Sequence, residues 1–292
     1  MSLIGTTGEA APETQFVRST ISASRPELLP TIAAMRAAGE RAVTAIALVV
    51  FIAAAAVTLY FVQTMSGGMR MPGGWTMSMM WMRMGDQTAL GAATLFTVMW
   101  LAMMVAMMLP SVLPMLLVYR RVLLFRGEHR CAPHLLLSGA GYFVVWTFVG
   151  AIAYACGLFL ARVAMESELV SRLVPLASGV ALIAGGAWQF TPWKFACLKH
   201  CRDPIHLLTR HLEGGLHGGF TFGAHHGAYC AGCCWGLMLM LLALGVMNLA
   251  AMIIIAALIA AEKLLAKGEA VARIVGSIGI IAGFYLAARA LL

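Results

Sequence analysis

Cysteine and histidine, the side chains that hold soft metals, are concentrated in one stretch of this chain. Five of the seven cysteines and six of the eight histidines lie between Cys197 and Cys234. The segment 193–235 reads Trp193-Lys194-Phe195-Ala196-Cys197-Leu198-Lys199-His200-Cys201-Arg202-Asp203-Pro204 and, after a Gly/His-rich link, His225-His226-Gly227-Ala228-Tyr229-Cys230-Ala231-Gly232-Cys233-Cys234-Trp235. Cys197 and Cys201 are spaced i, i+4, which puts both sulfurs on one face of a short helix bracketed by Pro192 and Asp203-Pro204. His200 lies beside them, and Asp203 is placed to cap a following helix that carries His206 and His211. On the next segment, taken as helical, His226, Cys230 and Cys233 fall within about 60° of one another, Cys234 lies at the margin and His225 turns away. Four thiols and a histidine from two helical segments could thus converge on one ion. The spacing is not that of a zinc finger or ribbon, so the signal is the whole constellation.

A second set of soft donors consists of thioethers. The segment from Met65 to Met84 holds eight methionines in twenty residues, in a loop broken by Gly67-Gly68 and Pro72-Gly73-Gly74. Thioethers suit Cu(I) and, unlike thiols, stay competent in an oxidising compartment. The competing reading is an interfacial anchor built from Trp75, Trp81 and apolar methionines. Farther on, Met99, Met103 and Met107 form one stripe at about 100° per residue and Met104, Met108 and Met115 a second, so sulfur could line a helix face. Pro110 and Pro114 remove two helical donors there, a break that in a membrane belongs inside protein or beside a polar cavity. A Met-rich packing face with a proline bend accounts for the same residues.

The elements that carry these donors are membrane helices. Sixty-one percent apolar and only eleven percent charged residues over 292 positions lie outside the soluble range. Long apolar runs without period-2 alternation select helices over a barrel, so the expectation is an all-α, polytopic transmembrane bundle. Seven spans are expected, at about 42–64, 90–118, 134–161, 173–191, 224–245, 247–264 and 271–291. Only Gly245-Val246-Met247-Asn248 joins the fifth to the sixth, which leaves a tight hairpin and one bent helix both open. The formal charge of +8 reads as topology and not as nucleic-acid binding, because the basic residues sit in loops and form no block. With the N-terminus inside, fifteen of the twenty Lys and Arg face the cytoplasm, among them Arg120, Arg121, Arg126, Arg130, Lys194, Lys199 and Arg202. That asymmetry favours N-inside, C-outside, in a cytoplasmic membrane. Residues 1–41 are then a cytoplasmic tail, polar and without a cleavable signal, with a short surface helix from Pro30 to Arg41. Residues 42–292 form the membrane domain, with a Met-rich outer loop at 65–86 and the Cys/His segment on the cytoplasmic side.

Cytoplasmic cysteines are normally reduced, so a cluster of them binds metal or does catalysis more often than it forms cystine. Thiolates at a lipid boundary need a cation, which a metal together with Lys194, Lys199 and Arg202 would supply. Two or three thiolates suit Cu(I), whereas four, or three and a histidine, suit Zn(II). Small cysteines that merely permit close helix packing beside Gly227 and Gly232 are the alternative.

Several motifs resemble a bacterial family described as predicted metal-binding integral membrane proteins. They are Met99-Trp100 through Pro110-Ser111 and Pro114-Met115, Trp193-Lys194, Cys197 to Pro204, Gly227 to Trp235, Met247-Asn248 and Glu262-Lys263. The resemblance covers roughly residues 65–268 and implies metal binding and a membrane location, with no activity attached. The combination of outer methionines, Met-x3-Met in a helix and inner Cys/His is also similar in chemistry to eukaryotic high-affinity copper transporters, without implied homology. The expectation is a non-enzymatic membrane protein that binds Cu(I) on Cys197, His200, Cys201, His226, Cys230, Cys233, Cys234, Met99, Met103 and Met107. It would move or deliver the ion, with lipid and a metallochaperone or other membrane subunits as partners. The rival is an accessory subunit of a larger complex whose cysteines clamp zinc or hold nothing. A metallo-oxidoreductase ranks third, since the spans hold neither the regularly placed histidines of haem ligation nor a carboxylate/histidine triad.

Overall fold

The computed structural model describes residues 25–65, 67–81, 87–203 and 215–292. The expected roles of Met82, Met84, His206 and His211 fall outside these residues, as does most of the N-terminal tail. Helix α1 runs Arg25–Met65 and is followed by a hairpin of β1 (Gly68–Arg70) and β2 (Thr76–Ser78), then a 3-10 turn at Met79–Trp81. Six helices complete the order up to the last: α2 (Ala89–Phe125), α3 (Cys131–Glu166), α4 (Glu168–Trp188), α5 (Pro192–Arg202), α6 (Gly215–Leu244) and α7 (Leu249–Leu264). Helix α8 (Gly268–Leu291) closes the chain. Two compact units divide at Ile46/Ala47, and the second contains the hairpin and helices α2 to α8. The tail helix expected from Pro30 begins instead at Arg25 and continues into the first span.

Local signals set the breaks. Thr88, Ser167, Thr191 and Asn248 are side-chain N-caps of α2, α4, α5 and α7, each accepting from a backbone N–H three residues on. Pro192 opens α5, where a missing N–H costs no helical bond. Gly245, at φ +99°, and the Asn248 cap turn the chain sharply between α6 and α7, so that junction is a hairpin and not a bent helix. Among the described residues six helices are long and apolar enough to cross a membrane: Ala37–Met65, Ala89–Phe125, Cys131–Glu166, Glu168–Trp188, Gly215–Leu244 and Gly268–Leu291. The expected sixth span is α7, whose 16 residues rise about 24 Å, short of a hydrocarbon core of about 30 Å.

Helix α6 starts nine residues before the expected boundary of residue 224, taking in the part of the Gly/His-rich link from Gly215 onward. Its glycines cost helix propensity in isolation and are offset by backbone contact with α3. A Cβ at Gly223 would overlap the Ser138 carbonyl, and one at Gly227 would lie 3.0 Å from the Tyr142 oxygen. Because Gly219 faces His134, Gly223 faces Ser138 and Gly227 faces Tyr142, the two helices run parallel and in close register. A second glycine seam joins α4 to α8, where Gly186 faces the Gly276 carbonyl and Gly179 the Gly283 carbonyl.

Helix α2 runs antiparallel to α3. Phe96 packs on Tyr154, with ring centroids 4.6 Å apart, and Trp100 Nε1 donates to the Trp146 carbonyl at 2.9 Å. It passes Pro110 and Pro114 without ending, and its methionines 99, 103, 104, 107, 108 and 115 are all buried in the main core. The end of α4, all of α5, the end of α7 and the start of α8 gather around residues 229–236 of α6. Trp188 Nε1 donates to the Gly232 carbonyl, and Gly268 abuts the Glu262 carbonyl. Helices α2, α3 and α6 continue past that level.

The seam between α3 and α6 can be tested by paired alanines. Gly223→Ala should lower stability by about 1–3 kcal/mol through overpacking. Gly139→Ala, on α3 but with nothing within 4 Å of its Cβ, should raise it by about 0.5–1 kcal/mol. Thermal unfolding of the detergent-purified variants reads both signs.

Candidate metal centre

Three sulfurs meet on one turn of α6. Residues spaced i, i+3 and i+4 share a helix face, and the Sγ atoms of Cys230, Cys233 and Cys234 all lie within 4.8 Å of one another. Cys230 to Cys234 is 3.9 Å and Cys233 to Cys234 is 3.6 Å, and all three side chains are buried. Metal–thiolate bonds of about 2.3 Å place sulfurs about 3.8–4.0 Å apart in tetrahedral or trigonal sets, so this spacing suits a soft ion. Helix α5 brings a fourth thiol, Cys201, to 3.7 Å from Cys233. Thr191 and Pro192 start α5 at the turn that leaves α4, and Arg202 ties its far end to the Leu265 carbonyl at 2.8 Å.

The electrostatics come from α7. Lys263 Nζ donates to Cys230 Sγ at 2.8 Å, and the Tyr142 hydroxyl lies 2.8 Å from the same sulfur. A lysine side chain and a tyrosine hydroxyl thus meet at one buried sulfur. The neighbouring Glu262 carboxylate pairs with Lys194 at 2.7 Å, with both side chains almost fully buried, and Gln189 accepts from the same Lys194 Nζ. Neutralisation of the thiols was expected from Lys194, Lys199 and Arg202. The cation that reaches the cluster is instead Lys263, while Lys194 serves Glu262, Lys199 is exposed and Arg202 caps the end of α7.

The remaining expected ligands are placed as follows. Helical phasing put Cys234 at the margin, yet its sulfur sits inside the three-sulfur group; the i, i+4 step from Cys230 returns it to the same face. Cys197 Sγ lies against Gly232, 3.0 Å from where a Cβ would be, and burial pushes its thiol upward from the usual range. His200 stacks on Tyr229, with centroids 4.5 Å apart, and its Nδ1 engages the Ala196 carbonyl at 2.8 Å. His226 is one turn before Cys230, buried between Tyr142 and Phe222, and its Nδ1 has no hydrogen-bond partner among the described residues. Met99, Met103 and Met107 face the core and not the lipid. Sequence reasoning missed the roles of Tyr142 and Gln189. Two polar groups set within apolar helical runs were the available signal.

Fold and site together define a polytopic helical membrane protein with a buried, lysine-compensated thiol cluster. Residues 97–286 match PpoB2, a family described as a copper chaperone, and since the match covers more than half of the chain, this protein belongs to that family. No curated protein and no solved structure matches it. Membership points to non-enzymatic metal handling, with copper as the metal, and the three-cysteine group is chemically suited to a soft ion.

The Lys194–Glu262 pair gives a clean energetic test. Lys194→Met should cost about 3–5 kcal/mol, because it leaves a buried carboxylate alone, and Lys194→Met combined with Glu262→Leu should recover most of that loss. Melting temperatures of the two single variants and the double variant close the cycle.

Proposed function

We propose that this protein is a copper chaperone embedded in the bacterial cytoplasmic membrane. It holds Cu(I) on Cys230, Cys233 and Cys234 and passes the ion to an acceptor protein. The observation that carries the reading is the three-sulfur group on one helical turn with the Lys263 ammonium against it. Three thiolates around a monovalent ion leave a net charge of about −2, and Lys263 reduces that to about −1 in a site shielded from water. Cys201 and His226 are the adjacent donors through which the ion would enter or leave. The buried stripe Met99/Met103/Met107 supplies weak, exchangeable thioether positions along α2, the kind of multi-site binding that passage requires.

In this reading the N-terminus is cytoplasmic and the thiol cluster lies at the cytoplasmic end of the bundle, with α7 as a short seventh segment. The basic residues at the α2–α3 junction, Arg120, Arg121, Arg126 and Arg130, support it. The acceptor is a metallochaperone or another membrane subunit with thiol or histidine ligands of its own.

A structural zinc clamp is the second reading, favoured by the position of Cys201, 3.7 Å from Cys233, as a fourth thiol for a tetrahedral site. Metal analysis separates the two. Wild-type protein purified under reducing conditions should retain Cu(I) against a chromophoric Cu(I) chelator. Cys230→Ser/Cys233→Ser/Cys234→Ser should lose at least about 100-fold in affinity, while Cys156→Ser, an exposed thiol, should be unchanged. Equal copper in wild type and triple variant would sink the proposal. One inert equivalent of zinc, lost on Cys201→Ser, would establish the clamp.

A further inference from the structure

Four methionines converge on one cleft at a distance from the thiols. Met65 closes α1, Met79 and Met80 begin the 3-10 turn after the hairpin, and Met99 lies nearly three turns into α2. Together with Gln87, Ala92, Leu95 and Phe96 they line a small, partly open cleft. Met65, Met80 and Met99 are buried and Met79 half-buried. Methionine normally fills irregular gaps, and a packing role predicts side chains that close the space between elements. Here sulfur-bearing side chains from three elements leave between them a small space, enough for a water-sized or ion-sized guest.

The chemistry of that lining is selective. Thioethers are neutral and soft, so they favour Cu(I) over Zn(II) and leave the bound ion its positive charge. Phe96, buried and packed against Trp81, Trp100 and Tyr154, gives the cleft an apolar aromatic wall. Gln87 adds a polar group at the wall. Among the described residues the cleft is lined by thioethers, apolar groups and Gln87, with no thiol, carboxylate or histidine.

Position connects the cleft to the thiol cluster. Met99 belongs both to the cleft and to the buried stripe of α2. Helix α2 is antiparallel to α3, and Trp100 bonds Trp146, one turn along α3 from Tyr142, which touches Cys230. The turn containing Met104 and Met108 is therefore roughly level with Cys230, and nine residues of α2 separate Met99 from Met108, a rise of about 14 Å. Met103, Met104 and Met107 occupy the interval, all buried.

We propose that Met65, Met79, Met80 and Met99 form a second, weaker site for a monovalent soft cation, the loading position from which Cu(I) passes along α2 to the thiols. The proposal deepens the copper reading above and rests on it for the destination of the ion but not for the existence of the site. The full-length chain in detergent is titrated with Cu(I) buffered by a chromophoric chelator. The background is Cys201→Ser/Cys230→Ser/Cys233→Ser/Cys234→Ser, compared with the same chain also carrying Met65→Leu/Met80→Leu. Leucine conserves volume and removes sulfur, and matching melting temperatures certify the fold.

The thiol-poor chain should bind one Cu(I) at least about tenfold more weakly than wild type, with sulfur scattering in its copper X-ray absorption spectrum, and the leucine pair should abolish that binding. In the wild-type background the leucine pair should leave the tight site's stoichiometry intact and slow its loading about fivefold or more. No Cu(I) on the thiol-poor chain, or binding indifferent to the leucines, overturns the proposal. If instead wild type and the thiol-poor chain bind the same single ion and the leucines remove it, the thiolate reading fails and the cleft stands.

Discussion

A charge placed among apolar helices must find an opposite charge or a cation-demanding ligand, and this requirement organises one end of the bundle. Lys194, Glu262 and Lys263 are buried in a chain that is sixty-one percent apolar. Lys194 and Glu262 satisfy each other, which leaves Lys263 to turn toward sulfur. That division of labour fixes the start of α5 against the end of α7, and through them the distance of Cys201 from the cysteines of α6. A single unpaired member would carry the full cost of desolvation, so the three charges act as one unit.

The glycine seams supply the second condition. Close approach of α6 to α3 brings the Tyr142 hydroxyl to Cys230, and close approach of α4 to α8 holds the helix ends that enclose the cluster. Neither seam contributes a ligand. Both determine where the ligands stand, because a Cβ at Gly223 would push α6 outward and carry the whole cysteine turn with it.

The helices were legible because lipid leaves the backbone no alternative, and long apolar runs in this chain translate directly into spans. Boundaries were less so: the glycines of residues 215–223 argue for a loop until a partner helix is present to reward them, and Asn248 declares its cap only when Gly245 has turned the chain. At the site, the i, i+3, i+4 spacing of Cys230, Cys233 and Cys234 was visible. The role of Lys263 was not, since it lies 33 residues from Cys230 and no local pattern links them. Lys194 and Arg202 looked like counter-ions for the thiols because they are neighbours in sequence, and tertiary packing assigned them elsewhere. The Met-rich loop looked exposed in sequence, but Met71, Met77 and Met80 are buried, since the hairpin folds back onto the bundle.

All three sulfurs of the cluster project from a single turn of one continuous helix. Donors mounted on one rigid rod cannot be drawn apart by tilting or sliding helices past each other, so conformational change has no lever on the bite of the site. An ion held there would have to depart by ligand exchange, an incoming thiol or imidazole attaching before the cysteines detach one at a time. Selectivity would then reside in which acceptor can reach the sulfurs, and rate in how readily it replaces them.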